Sequence, residues 1–488
     1  MWFYIFLFIL FVGYNVMKDR GSSHTPARAS KASVALAKQG IGKRRTSRKF
    51  AVIEKPDIEL SEEGQKVIDL LENTKTNIFL TGKAGTGKST LLKYFRATTK
   101  KKVVMLAPTG VAAVNVQGQT VHSFFKFGPQ ITENMVRKKE GDEAKIYKEV
   151  EMIIIDEISM MRADLFDCVD KFMRLNGPKP GQPFGGVQVL VVGDLFQLPP
   201  IVKTEEEQIF KRLYNSPFFF DSKGYEKAGF IKVELTHVYR QADDKFIDTL
   251  DAFRISDFND DHLEMINARV VPGYQKPEDD FVISLVTTNA MASTINTSEL
   301  TKLKTKSKTY TGSITGEFKE KDLPTDMRLV LKEGAQVMLL NNHPQGKWIN
   351  GDIGKVIKLN ENSVRVLFDD GTFDDVGTNK WDAIQFVYDE ETKRIQSEVV
   401  GTYNQIPLKL AWAVTIHKGQ GKTFDRVHID FGNGTFAPGQ AYVALSRCRT
   451  LDGMVLASRV ESHHIFAHDR VKEFMNRKIE VGRSTLPF

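Results

Sequence analysis

NIFLTGKAGTGKS, residues 77–89, joins an apolar run to a glycine-rich loop that opens onto a helix-forming stretch. A buried strand, a loop and a helix in this order are the context in which a phosphate-binding loop occurs. The glycines let backbone amides surround phosphate oxygens, Lys88 can reach the β and γ oxygens, and the Ser89 hydroxyl can bind Mg²⁺. We therefore predict an ATP site with Mg²⁺ as cofactor, formed by Gly82, Ala84, Gly85, Thr86, Gly87, Lys88, Ser89 and Thr90.

A second apolar run ends in two carboxylates. In MIIIDE (152–157) the acidic pair follows a segment that must be buried, and the ends of such strands face the ligand crevice of open α/β sheets. We expect Asp156 to hold Mg²⁺ through its water shell and Glu157 to act as general base for the attacking water. In GDLFQLPP (193–200), Gln197 is placed to sense the γ-phosphate and to align that water.

Two arginines are candidates for the positive charge that phosphoryl transfer needs from elsewhere in the chain. Arg240 lies in THVYRQ and Arg447 lies in YVALSRCR. A lone arginine beside a helix is more often part of a surface ion pair, so the residues alone leave both interpretations open. With Lys88, Glu157 and Gln197, the two arginines make up the predicted catalytic set.

Apolar runs separated by helix-length segments recur along the chain. They occur at 77–81, 103–107, 152–156 and 187–194, and again at 284–288, 408–415, 426–430 and 453–457. Strands that alternate with helices predict a parallel sheet covered on both faces, here twice. Residues 308–400 interrupt the second set with short alternating runs and NG and DG turns, which predict a small inserted β-barrel.

Composition excludes several other classes of protein. The 488 residues are 41% hydrophobic and 26% charged, which excludes bulk disorder, collagen and a polytopic membrane protein. Two cysteines without metal-ligand spacing exclude a zinc ribbon and a disulfide framework and favour an intracellular setting. The net charge of +7 is local, because residues 18–50 carry +9 and residues 51–488 carry −2. A bound polyanion therefore has to be held by a local groove.

The N-terminal segment stands apart from this pattern. Residues 2–17 are almost continuously apolar but shorter than the roughly 20 residues that span a bilayer. A membrane anchor, an upstream extension of a chain that begins at Met17, and a cleaved signal remain open, and only the first brings the chain to a membrane. Residues 18–52 predict a basic, unfolded linker, although GKRRTSRK (42–49) leaves a nuclear signal and a transit-peptide remnant open.

The ordered set of motifs resembles the Pif family of DNA helicases, relatives of RecD in superfamily one B. GKAGTGKS, IIIDE and GDLFQLPP are similar to motifs I, II and III, VYRQ to motif IV and YVALSR to motif VI. LSEEGQ (60–65) resembles the adenine-binding Q motif, which nominates Gln65. DDKFIDTLDAFR (243–254) resembles the signature helix of the family, although Ser256 stands where glycine is usual.

The resemblance implies an α/β fold with two RecA-like P-loop parallel-sheet domains and a small inserted SH3-like β-barrel. In this division, residues 1–17 are the apolar segment, 18–52 the linker, 53–240 domain 1A with a small 1B element near 125–150, 241–307 and 401–488 domain 2A, and 308–400 the inserted domain 2B. The resemblance also makes Arg240 and Arg447 contacts of the γ-phosphate.

Three further motifs resemble strand-binding segments of the family, namely APTGVAA (107–113), TVHSF (120–124) and AVTIHKGQG (413–421). The residues that they nominate for contact with DNA are Pro108, Thr109, His122, Ser123, Phe124, His417 and Lys418. Gly419 replaces the usual serine of the last motif, which removes one hydroxyl from that surface. Contacts of this kind recognise phosphate and sugar rather than base sequence.

The family implies an ATP-dependent DNA helicase that moves 5′ to 3′ on single-stranded DNA and unwinds duplexes in replication, recombination, repair or telomere maintenance. The implied partners are single-stranded DNA and duplex junctions, with G-quadruplexes and RNA–DNA hybrids as further candidates. We expect a monomer located with DNA in the nucleoid or cytoplasm, nucleus or mitochondrion. Two alternatives remain, a DNA-stimulated ATPase clamp that does not unwind and a membrane-tethered nucleotide switch that acts on proteins.

Overall fold

The computed structural model describes residues 60–477 apart from residues 129, 242, 278–279 and 390–393. The predicted apolar segment and basic linker, residues 1–52, lie outside the described residues. Among the helices that the structure describes, none combines the length and the apolar character needed to cross a bilayer.

Domain 1 is built on a six-stranded parallel sheet. Its strands are β1 (Ile78–Gly82), β2 (Val103–Ala107), β3 (Gln119–Thr120), β4 (Met152–Ile155), β5 (Gln188–Val192) and β6 (Ile231–Leu235). They lie in the order β3-β2-β4-β5-β1-β6, with every pairing parallel. The four predicted runs form β1, β2, β4 and β5. The prediction missed the two edge strands, because β3 has two residues and β6 is only half-buried over most of its length.

Helices cover both faces of this sheet. They are α1 (Glu62–Asn73), α2 (Lys88–Thr98), α3 (Gly110–Asn115), α4 (Val121–Phe124), α5 (Lys145–Glu149), α6 (Ala163–Asn176), α7 (Thr204–Leu213) and α8 (Lys223–Ala228). The start of α1 is fixed by Ser61, whose hydroxyl accepts the N–H of Gly64 at 3.1 Å. The predicted 1B element is a run of short turns and α5 that packs Val136 and Tyr147 into the core of domain 1.

Domain 2 is a smaller parallel sheet. Its strands are β7 (Ile283–Val286), β18 (Ala413–Thr415), β19 (Val427–Asp430) and β20 (Met454–Leu456), in the order β18-β7-β19-β20. Its helices are α9 (Asp244–Ile255), α10 (Asp260–Asn267), α11 (Asn289–Lys302), α12 (Ile416–Gly419) and α13 (Gln440–Leu445). The signature-like segment is confirmed as a helix, α9, and Ser256 ends it in the left-handed conformation with φ of 56°. The glycine that is usual here would adopt that conformation without strain.

An antiparallel module is inserted between β7 and β18. It contains β8 (Ser307–Thr311), β9 (Ser313–Gly316), β10 (Arg328–Lys332), β11 (Gln336–Leu339), β12 (Ile353–Leu359), β13 (Ser363–Phe368), β14 (Phe373–Gly377), β15 (Asn379–Asp389), β16 (Arg394–Gln405) and β17 (Leu408–Leu410). The sheets are β10-β8, β14-β13-β12-β11-β17 and β15-β16-β9. The β-rich insert is confirmed, whereas its likeness to an SH3 barrel stays a prediction.

The predicted end of the insert at residue 400 is wrong. The apolar run LKLAWAVT, residues 408–415, forms two strands rather than one. Residues Leu408–Leu410 pair antiparallel with β11 inside the insert, and Ala413–Thr415 pair parallel with β7 in domain 2. The insert therefore continues to Leu410, because an apolar run shows burial but not which sheet buries it.

The assignment of the C-terminal residues to domain 2 is also wrong. Helix α14 (Asp469–Asn476) places Val471 and Met475 in the hydrophobic core of domain 1. The ring of Phe474 stacks on Phe220 at 4.1 Å, and Arg470 pairs with Asp221 at 2.5 Å. Domain 1 is consequently discontinuous in sequence, and the chain returns to it after completing domain 2.

We predict that Phe474→Ala destabilises domain 1 by about 3 kcal/mol, since it removes a large ring that packs on Phe220. The expected readout is a fall of several degrees in the thermal unfolding midpoint. Lys472→Ala, on the same helix, serves as the control and should leave the midpoint unchanged. An unchanged midpoint in Phe474→Ala would show that α14 is not a stabilising part of domain 1.

Candidate active site

In the phosphate loop, residues 82–89, the side chain of Lys88 is hydrogen-bonded to backbone carbonyls of the same loop. The Nζ atom of Lys88 donates hydrogen bonds to the carbonyl oxygens of Gly82 at 2.6 Å and Lys83 at 2.8 Å. Burial lowers the pKa of Lys88, and the nearby carboxylates oppose that effect. The loop therefore holds a partly desolvated cation at its centre, which is what a triphosphate requires of it.

The other predicted loop residues have the exposure and backbone geometry that a phosphate site needs. Gly85 and Gly87 are left-handed, with φ of 87° and 82°. Thr86 is buried and its hydroxyl donates to the carbonyl of Lys83 at 3.0 Å. Ser89 and Thr90 lie exposed in the first turn of α2, and the N-terminus of a helix is a place where phosphate binds.

The predicted carboxylate pair lies directly after β4. The backbone N–H of Glu157 donates to Oδ1 of Asp156 at 2.9 Å, and Glu157 has a left-handed φ of 53°. A non-glycine residue in this region is strained, and such strain clusters at functional sites. Burial raises the pKa of Asp156 and of Glu157, and the charge of Asp156 raises the pKa of Glu157 further. Asp156 and the Ser89 hydroxyl are oxygen donors of the kind that Mg²⁺ prefers.

Gln197 lies near Glu157, the predicted general base. Gln420, which was not among the predicted site residues, is hydrogen-bonded to both. The amide nitrogen of Gln420 lies 3.0 Å from Oε2 of Glu157 and 3.1 Å from Oε1 of Gln197. Gln420 follows α12 in domain 2, whereas the other two residues belong to domain 1. The only sequence indication was its place in AVTIHKGQG, three residues after His417.

Arg447 is a buried cation without a carboxylate partner among the described residues. Its guanidinium donates to the carbonyls of Val443 and Lys422 and to the hydroxyl of Ser446, and it is 1% exposed. Burial and then the nearby charge of Arg240 lower the pKa of Arg447 to about 9. The surface ion pair that the residues alone left open is therefore not what the structure contains, and an anion is the ligand that this environment favours.

Arg240, the other predicted arginine, lies against the phosphate loop. A Cβ atom at Gly85 would lie 2.6 Å from Cβ of Arg240, so the glycine is required for this close approach. The Arg240 guanidinium donates to the carbonyl of Ser446 at 3.3 Å, next to Arg447. Both predicted arginines are thus brought to one end of the phosphate loop.

A buried polar chain fastens the loop to domain 2. The hydroxyl of Tyr442 accepts the N–H of Ala84 at 3.0 Å and donates to Asp194 at 3.4 Å. Asp194 also forms an ion pair with Arg254 of α9, at 2.9 Å, with side chains 0% and 5% exposed. Tyr442 was part of the motif YVALSR, but nothing in that motif indicated that its hydroxyl reaches the loop.

Gln65 was predicted to bind adenine. The structure offers a second candidate for this role, Tyr239. The side chain of Gln65 is exposed and donates to Asp69, one turn along the same helix, at 2.9 Å. Tyr239 is 62% exposed, and its backbone N–H donates to the carbonyl of Gly85 at 2.9 Å. A Cβ atom at Gly87 would lie 3.7 Å from the Tyr239 ring. An exposed ring beside the loop is suited to stacking on a base, so Tyr239 joins the candidate site.

The three predicted strand-binding motifs have one local structure in common. In each, a threonine at the end of a strand accepts a hydrogen bond from the first turn of a short helix. These threonines are Thr109 before α3, Thr120 before α4 and Thr415 before α12. Because they follow β2, β3 and β18, the segments lie at the carboxyl ends of parallel strands, where such sheets bind ligands.

Most of the residues nominated for DNA contact are accessible. Pro108, Thr109, His122, Ser123 and His417 are partly exposed and Lys418 is exposed. Phe124 is the exception, since it is 3% exposed and packs edge-on against Phe125 and Tyr147 at ring distances of 4.9 and 5.4 Å. Its prediction as a DNA contact is wrong for this structure, because its ring belongs to the core of domain 1.

Position 419 also faces inward. A Cβ atom at Gly419 would lie 3.2 Å from the side chain of Leu285, and the residue is buried. The hydroxyl that is missing relative to the family would therefore point toward the core of domain 2. Its loss removes little from the exposed surface formed by His417 and Lys418.

Two lysines that the sequence analysis missed extend that surface. Burial, together with the charges of Lys422 and Lys418, lowers the pKa of Lys409 to about 7. Burial also lowers the pKa of Lys422 to about 8, and its Nζ donates to Asn350 of the insert at 2.7 Å. Lys409 thus lies close to the charges of Lys422 and Lys418, and a bound phosphate would stabilise this group of positive charges.

The insert touches the strand-binding segments of domain 1. A Cβ atom at Gly110, next to Thr109, would collide with the carboxylate of Asp322. Strand β15 packs against α4 and α5, and its Gln385 accepts a hydrogen bond from Lys126 at 3.3 Å. The insert therefore lies over two of the three predicted strand-binding segments.

Comparison with known proteins matches this chain to one family. A family model described as PIF1-like helicase matches residues 59–272. The chain is 34% identical over 411 residues to the ATP-dependent DNA helicase Pif1 of Bdellovibrio bacteriovorus, covering 82% of this chain and 88% of that one. It is 31% identical over 470 residues to the ATP-dependent DNA helicase PIF1 of Emericella nidulans, covering 83% of this chain but only 61% of that relative.

Solved structures agree with this match. Pif1 from Bacteroides sp. in complex with ADP-AlF4 superposes with a TM-score of 0.80 at 37% identity, covering 86% of this chain and 97% of that one. Bacteroides Pif1 bound to single-stranded DNA gives a TM-score of 0.63 at 37% identity, covering 86% and 96%.

We predict that Tyr442→Phe weakens ATP binding about tenfold, because the phosphate loop loses its hydrogen bond to domain 2 and Asp194 loses a donor. The dissociation constant of a fluorescent ATP analogue measures this. Tyr214→Phe is the matched control, since its hydroxyl donates to Asp167 within domain 1 at 2.9 Å. Equal ATP affinity in the two variants would contradict the role of Tyr442.

We also predict that binding of a single-stranded oligonucleotide weakens as pH rises from about 6.5 to 8.5. The pKa of Lys409 is lowered to about 7, so the free protein loses this charge over that range, whereas a bound phosphate favours the charged form. Fluorescence anisotropy at constant ionic strength measures the effect. Lys409→Met should reduce the pH dependence, and Lys358→Met, an exposed lysine of the insert, should retain it. A slope equal in all three proteins would exclude Lys409.

Proposed function

This chain belongs to the PIF1-like helicase family, and we propose that it is an ATP-dependent DNA helicase whose ATP site lies between domains 1 and 2. One observation carries the proposal. The phosphate loop and Glu157 of domain 1 meet Arg447 and Gln420 of domain 2 in one buried site. A site assembled from two domains can change their separation when ATP is hydrolysed, which a site within one domain cannot do.

The side chains have distinct roles in hydrolysis. Lys88 binds the β and γ oxygens, while Glu157 accepts the proton of the attacking water and Gln197 aligns that water. The raised pKa of Glu157, caused by burial and by Asp156, makes it a stronger base once it is ionised. Asp156 and Ser89 are the residues that would hold Mg²⁺, which when bound neutralises charge on the phosphates.

The two arginines connect hydrolysis to movement. Arg240 and Arg447 lie beside the loop with neutral hydrogen-bond partners, so a γ-phosphate attracts both. Loss of that phosphate leaves two positive charges adjacent to each other. The repulsion favours opening of the domain interface after each hydrolysis.

Single-stranded DNA is proposed to lie across both domains. The contacts in domain 1 are Pro108, Thr109, His122 and Ser123, and those in domain 2 are His417 and Lys418, supplemented by Lys409 and Lys422. Their position at strand ends and their polar character support contact with phosphate and sugar. If the domains hold the strand in turn, each ATP moves the protein one step along it.

Polarity and preferred substrates are proposed from the family. We infer movement 5′ to 3′, action at duplex junctions, and candidate action on G-quadruplexes and RNA–DNA hybrids in replication, recombination, repair or telomere maintenance. We infer a monomer that is located with DNA. Binding to single-stranded DNA by Bacteroides Pif1 supports the strand-binding part of this proposal.

The unwinding activity is tested with two duplexes, one with a 5′ single-stranded tail and one with a 3′ tail. We expect ATP-dependent opening of only the 5′-tailed duplex, because the family moves toward the 3′ end. Lys88→Ala should abolish ATP turnover, since it removes the charge that binds the β and γ oxygens, while some strand binding remains.

Opening of neither duplex, with hydrolysis still stimulated by single strands, would instead identify a clamp that does not unwind. ATP hydrolysis that is not stimulated by single-stranded DNA would favour a nucleotide switch. Persistent hydrolysis in Lys88→Ala would contradict the assignment of the ATP site.

A further inference from the structure

The carboxamide of Gln420 occupies a defined place between the two residues proposed to handle the attacking water. Its nitrogen lies 3.0 Å from Oε2 of Glu157 and 3.1 Å from Oε1 of Gln197, and both oxygens are acceptors. The amide group has two N–H donors, so one nitrogen satisfies both acceptors at once.

A water that attacks phosphate needs the same two contacts. It must donate one hydrogen to the general base and be oriented by the second residue, which places its oxygen within hydrogen-bond reach of both. The nitrogen of Gln420 is at that distance from both acceptors. A water held by both Glu157 and Gln197 therefore competes with the Gln420 nitrogen for the same two acceptors.

The main chain links Gln420 to the residues proposed to contact DNA. Its backbone N–H donates to the carbonyl of His417 at 3.2 Å, and Lys418 is capped by Thr415 through the same short helix, α12. Lys418 is exposed, whereas Gln420 is partly buried. A displacement of Lys418 therefore moves the carboxamide of Gln420, which lies only two residues further along the same turn.

We propose that Gln420 is a strand-sensitive plug of the ATPase site. Without a strand, its carboxamide holds Glu157 and Gln197 and keeps the attacking water out. A strand phosphate bound at His417 and Lys418 shifts α12, withdraws the carboxamide and admits the water. This inference rests on the proposed function, because it needs a strand to act at α12.

A different role for the same contacts has the opposite consequence. If Gln420 only orients Glu157 and Gln197 for catalysis, removing it lowers hydrolysis with and without a strand. A plug, in contrast, slows only hydrolysis without a strand. The ratio of the two rates separates the roles, whereas a general loss of structure changes both rates together.

The test compares Gln420→Ala and Gln420→Met in the full chain by steady-state ATP hydrolysis, with and without saturating oligo-dT. We expect the strand-free kcat to rise about tenfold, since loss of hydrogen bonds to charged and neutral acceptors frees the water position. The kcat with strand and the KM for ATP should stay within about twofold of wild type. Methionine keeps the volume without the donors, so its agreement with alanine would identify the hydrogen bonds as the plug.

Gln241→Met is the control variant. Its buried carboxamide donates to the carbonyls of Ser446 and Cys448 within domain 2, at 3.4 and 3.1 Å, and neither hydrogen bond involves Glu157. It should keep the wild-type ratio of stimulated to strand-free kcat. Thermal unfolding of every variant verifies that each is folded.

The outcomes distinguish this inference from the function on which it rests. Strand-stimulated hydrolysis in wild type, together with an unchanged or lower strand-free kcat in both Gln420 variants, would overturn the plug and leave the helicase proposal standing. Absence of strand stimulation in wild type would overturn both. A tenfold rise shared by Gln241→Met would also overturn the plug, since loss of a buried carboxamide elsewhere in domain 2 would then explain it.

Discussion

The buried ion pair between Asp194 and Arg254 is the interaction on which the arrangement of the two domains depends. Asp194 follows β5 of domain 1, Arg254 ends α9 of domain 2, and both side chains are almost completely buried. Removing one partner of such a pair leaves an uncompensated charge, at a cost of about 3–5 kcal/mol. The guanidinium also lies 4.6 Å from the centre of the Phe196 ring, next to Gln197. The pair therefore joins the two domains beside the phosphate loop, Glu157 and the two arginines.

Local segments of sequence predicted one half of the site, and the other half depended on how the domains meet. The phosphate loop and the Asp156–Glu157 pair are each contiguous in sequence, so strand and loop patterns were enough to find them. Gln420 and Tyr442 act across a domain interface, and Tyr239 reaches the phosphate loop from a distant segment of domain 1, so no spacing along the chain records these contacts. The two boundary errors have a related cause, since an apolar helix face or strand shows that it is buried but not against which domain. Phe124 was nominated only by the resemblance of its motif, which does not distinguish an exposed side chain from one in the core.

The insert lies against the segments of domain 1 that are proposed to bind the strand, which the sequence motifs alone did not indicate. Asp322 lies against Gly110, and β15 packs over α4, so the two segments of domain 1 that are proposed to bind the strand share space with the insert. The segment at α12 in domain 2 instead lies beside Lys409 and Lys422, where positive charges are adjacent. Electrostatics therefore make domain 2 the easier place for a polyanion to bind first, since a carboxylate faces the other segments. In such a sequence of events the α12 turn and Gln420 respond before domain 1 engages the strand.

The return of α14 to domain 1 has a consequence for how the protein is made. Val471 and Met475 complete a core whose other members come from residues before 236, so nearly half of the chain separates the parts of one folding unit. A ribosome delivers domain 1 first, but its sheet exposes the surface that α14 covers until α14 has emerged. The insert is continuous in sequence and lies within domain 2, so both can fold while that surface of domain 1 is still exposed. Synthesis thus runs from an unfinished first domain to a finished second one, and α14 then completes the core of domain 1.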